Sequence, residues 1–185
     1  MRVFHSSIYP TDGSQERRAS GVSGESKRPF ENWLRFEALR PLSCCLTAKD
    51  YSLLESRLIE LRGRNEGTAP LLVQLIRTKL ADAEIVLSED VDPEVATTNA
   101  RVVFSVDGGA AETAVLVHWE HEVAREFALP ITTLLGATLL GMRAGNRAPL
   151  LRSDGGIREV ALLEIAFQPE AARRAMRRDG AASEC

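Results

Sequence analysis

Residues 131–146, ITTLLGATLLGMRAGN, carry the pattern that decides the fold. Thr133 precedes an apolar run, and its hydroxyl can accept a hydrogen bond from a free backbone N–H at the start of a helix. Gly141 stands where a residue in the left-handed conformation ends many helices. The Gly145–Asn146 pair is typical of a turn. The segment therefore predicts a short helix at about 134–141 that turns into a strand.

Alternating apolar residues on both sides of this helix predict four strands. They form two hairpins, Arg101–Val106 with Thr113–Trp119 and Arg147–Arg152 with Ile157–Phe167. We expect an antiparallel sheet with the short helix covering one face, because strands that follow each other through tight turns run in opposite directions.

A helical hairpin is predicted ahead of the sheet. Thr47 and Asp50 resemble a capping box at the start of the first helix, and Pro70 suits the first turn of the second. Each helix has an apolar seam at three- and four-residue spacing, as in an antiparallel coiled coil. The seams are Tyr51, Leu54, Leu58 and Leu61, and Leu72, Ile76, Leu80 and Ala83. Helices followed by a sheet make an α+β protein.

The chain divides into five expected segments. They are a disordered head with a short amphipathic cluster at 1–45, the hairpin at 46–86, a linker at 87–99, the sheet domain at 100–168 and a flexible tail at 169–185. The head cluster consists of Phe30, Trp33, Leu34, Phe36 and Leu39. It docks on the domain, binds a partner, or results from a wrongly assigned translation start.

Composition restricts the function. The 185 residues carry a net charge of −3, and residues 46–128 hold 15 acidic and 8 basic side chains. A surface that binds duplex nucleic acid is positive, so we expect only indirect or weak nucleic-acid contact. Three cysteines, two of them adjacent, form no disulfide framework, which favours a reducing cytoplasmic location. No apolar run is long enough to cross a membrane, and we expect a monomer.

These motifs, in this order and spacing, resemble the Gre-type transcription elongation factors over about residues 46–168. The most similar branch is the one named for regulation of nucleoside diphosphate kinase. The motifs that carry the resemblance are residues 97–102, Leu116-Val117, residues 135–146, Asp154-Gly155 and Leu163-Glu164-Ile165. The resemblance implies an FKBP-like sheet domain, core RNA polymerase as the partner, and neither catalytic activity nor a cofactor.

The resemblance also implies two polymerase contacts. The hairpin would enter the secondary channel with its tip residues Arg62, Arg64, Asn65 and Glu66. A turn of the sheet domain, Thr132, Thr133 and Leu134, would lie near the channel rim. This mechanism requires a hairpin that projects, so a hairpin folded back onto the rest of the chain would contradict it.

The tip composition argues against transcript cleavage. In the cleavage factors, tip carboxylates help to hold a second Mg²⁺, which prefers oxygen ligands. The predicted tip has one carboxylate, Glu66, and two guanidinium groups that oppose a cation. We therefore expect no stimulation of cleavage, no metal site and no catalytic residue.

Two other functions compete with this one. An FKBP-like domain could be a peptidyl-prolyl isomerase, which needs an aromatic pocket, and the chain offers Phe104, Trp119, Phe127 and Phe167. The branch name allows an adaptor that affects nucleoside diphosphate kinase levels.

The basic end, with Arg173, Arg174, Arg177 and Arg178, could touch nucleic acid or polymerase. His118 and His121 would point to opposite faces of a strand, so they are poor candidates for metal ligands.

Overall fold

The computed structural model describes residues 44–118, 127–154 and 156–182. The head cluster at 30–39, Trp119 and His121 lie outside these ranges. In chain order the elements are β1 (Cys44–Thr47), α1 (Ala48–Glu60), α2 (Ala69–Asp82), β2 (Ala83–Val86), β3 (Arg101–Val106), β4 (Glu112–Val117), β5 (Ala128–Pro130), α3 (Leu134–Leu139), β6 (Arg147–Leu151), β7 (Ile157–Phe167) and α4 (Pro169–Ala182). The α+β class is confirmed.

The main sheet has five strands in the order β5-β4-β3-β7-β6. Four strands were predicted, and β3 and β7 begin and end where expected. The prediction of a wholly antiparallel sheet is wrong, because β5 pairs parallel to β4 with Val115 opposite Ala128. With three residues, β5 is too short to show alternation in the sequence, and it includes a proline, which belongs at a sheet edge.

The predicted helical hairpin is present, and a second, two-stranded sheet closes its base. β1 leads into α1, β2 follows α2, and the two strands pair in parallel with Cys44 opposite Ala83. Thr47 caps α1 by accepting a hydrogen bond from the N–H of Asp50 at 3.1 Å. Sequence reasoning missed both strands, and it placed Cys44 and Cys45 outside the domain, whereas they form the start of β1.

The hairpin packs against the sheet domain and does not project from it as expected. Leu54, Leu61, Leu72 and Ile76 belong to one core cluster that also contains Leu139 of α3. The apolar seams that were interpreted as an interface between the two helices therefore also pack against the sheet domain. Burial of each large aliphatic side chain contributes about 1.5–3 kcal/mol, which holds the hairpin in place.

The expected linker is also packed onto the body. Val91, Val95 and Ala96 are buried, while Glu89 and Glu94 remain exposed. The main chain explains this, because the N–H of Ala96 donates to the carbonyl of Met142 at 2.8 Å. These apolar contacts were not predicted, because acidic residues dominate the segment.

The expected flexible tail differs most from the structure, since Pro169–Ala182 forms helix α4. Gln168 anchors its start by donating to the carbonyls of Asp92 and Val95, each at 2.8 Å. Glu170 is buried and accepts a hydrogen bond from the Thr97 hydroxyl at 2.8 Å. Within the described ranges, no helix is long and apolar enough to cross a bilayer.

Candidate functional site

The turn before α3 has the predicted cap geometry. The Thr133 hydroxyl accepts from the N–H of Gly136 at 3.0 Å and donates to the carbonyl of Pro130 at 2.8 Å. Leu134 is partly buried and packs against the core. Thr132 is half-buried beside the hairpin and lines a groove there. Of the three predicted turn residues, Thr133 is the exposed one, although its hydroxyl is engaged in the cap.

Gly136 is a feature of this turn that sequence reasoning missed. A Cβ atom added at Gly136 would lie 2.1 Å from the carbonyl oxygen of Pro130. Only glycine allows β5 and the first turn of α3 to approach this closely. The GAT sequence at 136–138 carried no sign of this contact, since the close neighbour comes from another element.

The predicted tip residues lie in the loop between α1 and α2. Arg62, Arg64, Asn65 and Glu66 are all exposed. The loop is closed by hydrogen bonds, among them one from the N–H of Arg64 to the carbonyl of Leu61 at 3.0 Å. The tip is thus an ordered turn that presents polar side chains to solvent.

The structure brings the tip and the turn together. An open groove of about 770 Å³ lies between them, and Thr132 lines one wall. Arg64, Asn65 and Glu66 line the other wall. Arg62 faces a different pocket, on the outer side of the hairpin. Two sites that were predicted separately therefore form one continuous surface, because the hairpin lies along the platform.

The charges on this surface balance. Glu66 is the one carboxylate that lines the groove, together with the guanidinium groups of Arg57 and Arg64. Arg57 is itself paired with Glu60 at 2.9 Å, which leaves Arg64 and Glu66 as one charge of each sign. In the ranges that the structure covers, no group of three or more His, Cys, Asp or Glu side chains could hold a metal ion.

A second, acidic pocket of about 380 Å³ lies at the base of the hairpin, beside β1. Cys45 lines it together with Glu84, Asp92 and Arg143. Burial and the neighbouring Glu84 carboxylate raise the pKa of the Cys45 thiol, which favours its protonated form. Arg143 pairs with Asp92 at 2.8 Å and, together with the N–H of Glu94, lowers the pKa of that carboxyl. We therefore assign this pocket a structural role.

Comparison with known proteins confirms the resemblance. No protein-family model matches the chain. The regulator of nucleoside diphosphate kinase of Escherichia coli K12 is 28% identical over 102 residues, which are 55% of this chain and 75% of the relative. The protein of that name from Shigella flexneri matches to the same extent.

Among solved structures, the transcription elongation factor GreA/GreB of Nitrosomonas europaea superposes with a TM-score of 0.51 and 25% identity. The match covers 67% of this chain and 99% of that one. Gfh1 of Thermus thermophilus is matched over 68% of this chain, with 18% identity and a TM-score of 0.33. The named relatives are a regulator and elongation factors, and none of these names describes a catalyst.

Proposed function

We propose that this chain is an RNA polymerase-associated regulator of transcription. The observation that carries the proposal is the structural match to the Nitrosomonas elongation factor, which spans nearly all of that protein. The sequence match to the Escherichia regulator supports it independently over 102 residues. In this proposal the chain acts in the cytoplasm as a monomer, and its contact with nucleic acid is indirect or weak.

The polymerase contact in this proposal is the continuous surface formed by the tip and the turn. Thr132, Arg64 and Glu66 are its central residues, because they line opposite walls of one groove. Entry of a projecting hairpin into the secondary channel, the mechanism expected from the sequence, disagrees with this fold, since both helices share a core with the sheet and, within the hairpin, only the loop at 62–68 is wholly exposed. A shallow contact at the channel entrance fits this geometry better than deep entry of the hairpin.

A pull-down of purified core RNA polymerase with the full chain tests the proposal. We expect binding that Thr132→Glu or Arg64→Glu weakens, because each change places an additional carboxylate or removes a guanidinium group at the proposed contact. Lys49→Glu is the matched control, since Lys49 is an exposed basic residue at the start of α1 and does not line the groove. Failure of the unaltered chain to bind polymerase would refute the proposal.

The proposed regulator does not stimulate transcript cleavage. Recruitment of Mg²⁺ needs several oxygen ligands, and the tip presents Glu66 beside Arg62 and Arg64. A cleavage assay on stalled elongation complexes should therefore give the same rate with and without the protein. A strong increase in cleavage would show that the charge argument is wrong while leaving polymerase binding intact.

The name of the Escherichia relative favours a second candidate, an adaptor that affects nucleoside diphosphate kinase. Kinase abundance and transcript level, measured in cells with and without this protein, separate the two. A change in enzyme without a change in transcript favours the adaptor. Peptidyl-prolyl isomerase activity remains an alternative from the sequence, and turnover of a proline peptide by the purified chain would support it.

A further inference from the structure

A second pocket at the hairpin tip lies beside the proposed polymerase contact and shares Arg64 with it. This tip pocket has a volume of about 340 Å³ and opens to solvent between the end of α1 and the first three turns of α2. Its volume lies within the range of small-molecule sites. Ile59, Pro70 and Val73 supply its aliphatic lining, and Ile59 is 66% exposed.

Three guanidinium groups surround this lining. Arg62, Arg64 and Arg77 line the pocket, and no carboxylate lines it. Among the residues that the structure describes, none of these three arginines forms an ion pair, whereas neighbouring Arg57 is paired with Glu60. The positive charge of the pocket is therefore available to a ligand.

We propose that the tip pocket binds a nucleoside polyphosphate. Guanidinium groups bind phosphate oxygens through paired charge-assisted hydrogen bonds, and three of them suit a chain of two or three phosphates. The nucleoside then rests on the exposed side chain of Ile59 and on Val73. This site shares Arg64 with the Thr132 groove, whereas Arg62 and Arg77 line the tip pocket alone. Variants of Arg62 and Arg77 therefore test nucleotide binding separately from the proposed polymerase contact.

Isothermal titration of the full chain with four probes tests the proposal. The probes are ATP, GTP, pyrophosphate and adenosine, each at low and at moderate salt. We expect ATP and GTP to bind, pyrophosphate to bind more weakly, and adenosine not to bind, because the phosphates supply the charged contacts. Higher salt should weaken binding, since part of the attraction is between exposed charges.

Three single variants, Arg62→Gln, Arg64→Gln and Arg77→Gln, locate the site. Each should weaken ATP binding about tenfold or more, the loss expected for a charged hydrogen bond. Arg173→Gln is the control for general loss of charge, and unchanged thermal melting shows that each variant is folded.

Three results would overturn the proposal. They are absence of ATP binding at millimolar concentration, binding that survives in the triple arginine variant, and tighter binding of a short single-stranded RNA than of any nucleotide. The last would reassign the pocket to RNA. Loss of ATP binding in a variant that still captures polymerase would support the inference and leave the proposed function standing.

Discussion

At the scale of single residues, Gly141 joins the sheet domain to the base of the hairpin. Its φ of 77° confirms the predicted left-handed cap after α3. A Cβ at this position would lie 2.8 Å from the Sγ of Cys44 and 2.8 Å from the carbonyl of Cys45. The left-handed conformation of Gly141 could be predicted from the sequence. Its close contact with β1 could not, because that contact joins residues almost a hundred positions apart.

Replacement of Gly141 by alanine should therefore destabilise the protein in two ways. The left-handed backbone costs an alanine about 1–2 kcal/mol, and the overpacking against β1 adds about 1–3 kcal/mol. Gly145→Ala is the matched control, since Gly145 has a φ of 83° and open space around it. Urea unfolding measures the free energy of unfolding of both variants. An equal decrease in the two would show that β1 moves away from the new methyl group without destabilising the protein.

Asp50 is a residue whose role sequence reasoning saw only in part. It was predicted as part of a capping box, yet its carboxylate is buried and also accepts hydrogen bonds from the hydroxyl and the N–H of Thr98. It therefore ties α1 to the segment before β3. Burial raises the pKa of the Asp50 carboxyl, the hydrogen bonds from Thr98 and Thr47 oppose this rise, and Glu170 adds to it.

The raised pKa predicts a pH dependence with a definite sign. A carboxyl with a higher pKa in the folded state contributes stability below its unfolded pKa of about 3.9, and this stability is lost as pH rises through the folded pKa. The chain with Asp50 should therefore lose stability relative to Asp50→Asn as pH rises from about 4. Urea midpoints across that range measure the difference. An opposite slope would mean that the hydrogen bonds outweigh burial.

At the scale of secondary structure elements, Lys79 connects α2 to α3. Its ammonium group donates to the carbonyls of Thr138, at 2.9 Å, and of Leu140. These carbonyls end a helix, where a positive charge is favourable. Burial lowers the pKa of Lys79, while interaction with Cys44 opposes the change. This link could not be predicted from the sequence, because Lys79 sits next to the apolar seam at a position typical of solvent-facing residues.

Replacement of Lys79 by methionine should cost about 1–3 kcal/mol, because two carbonyls lose their donor while the aliphatic stem remains. Lys49→Met is the control, since Lys49 is exposed at the start of α1 and should change stability by less than about 0.5 kcal/mol. Guanidinium denaturation compares the two. A Lys79→Met protein as stable as the original chain would mean that water replaces the ammonium group.

Helices and strands with a strong periodic pattern of apolar residues were predictable from the sequence. Elements that form only through contact with a distant part of the chain were not. Helices α1 and α2 and strands β3 and β7 carry their own apolar spacing. Strands β1 and β2 have four residues each, and only their pairing with each other defines them. Helix α4 has an arginine-rich surface that looks like a solvated tail, and its anchors, Gln168 and Glu170, are polar residues whose partners lie more than seventy positions away.

At the scale of the whole molecule, the hairpin and the sheet form one core, and this determines how the protein should unfold. Leu54, Ile76 and Leu139 share a single cluster. Hydrogen exchange should therefore protect buried amides of α1 and α2 about as strongly as those of β3, because opening either part exposes the same core. Ile76→Ala should lower the protection of both parts together. Fast exchange confined to the hairpin would instead indicate that the hairpin separates from the sheet domain while the sheet stays folded.

The candidate site was predictable in composition but not in arrangement. The tip arginines and the turn residues were named from the sequence, yet their common groove depends on the hairpin lying against α3. That contact joins Leu72 with residues some sixty positions away, and no local pattern records it. The tip pocket was not predicted either, although the predicted antiparallel helices bring Arg62 and Arg77 to the same end of the hairpin, because its shape depends on the path of the connecting loop.

The parallel pairing of β1 and β2 fastens both legs of the hairpin at one place. Entry and exit of this segment are fixed side by side, with Thr47 opposite Val86. Whole turns added symmetrically to both helices would thus lengthen the far end without moving the anchorage, at about 5.4 Å per turn. In such a fold the length of the hairpin can vary while the β1–β2 pairing that attaches it to the sheet domain stays the same.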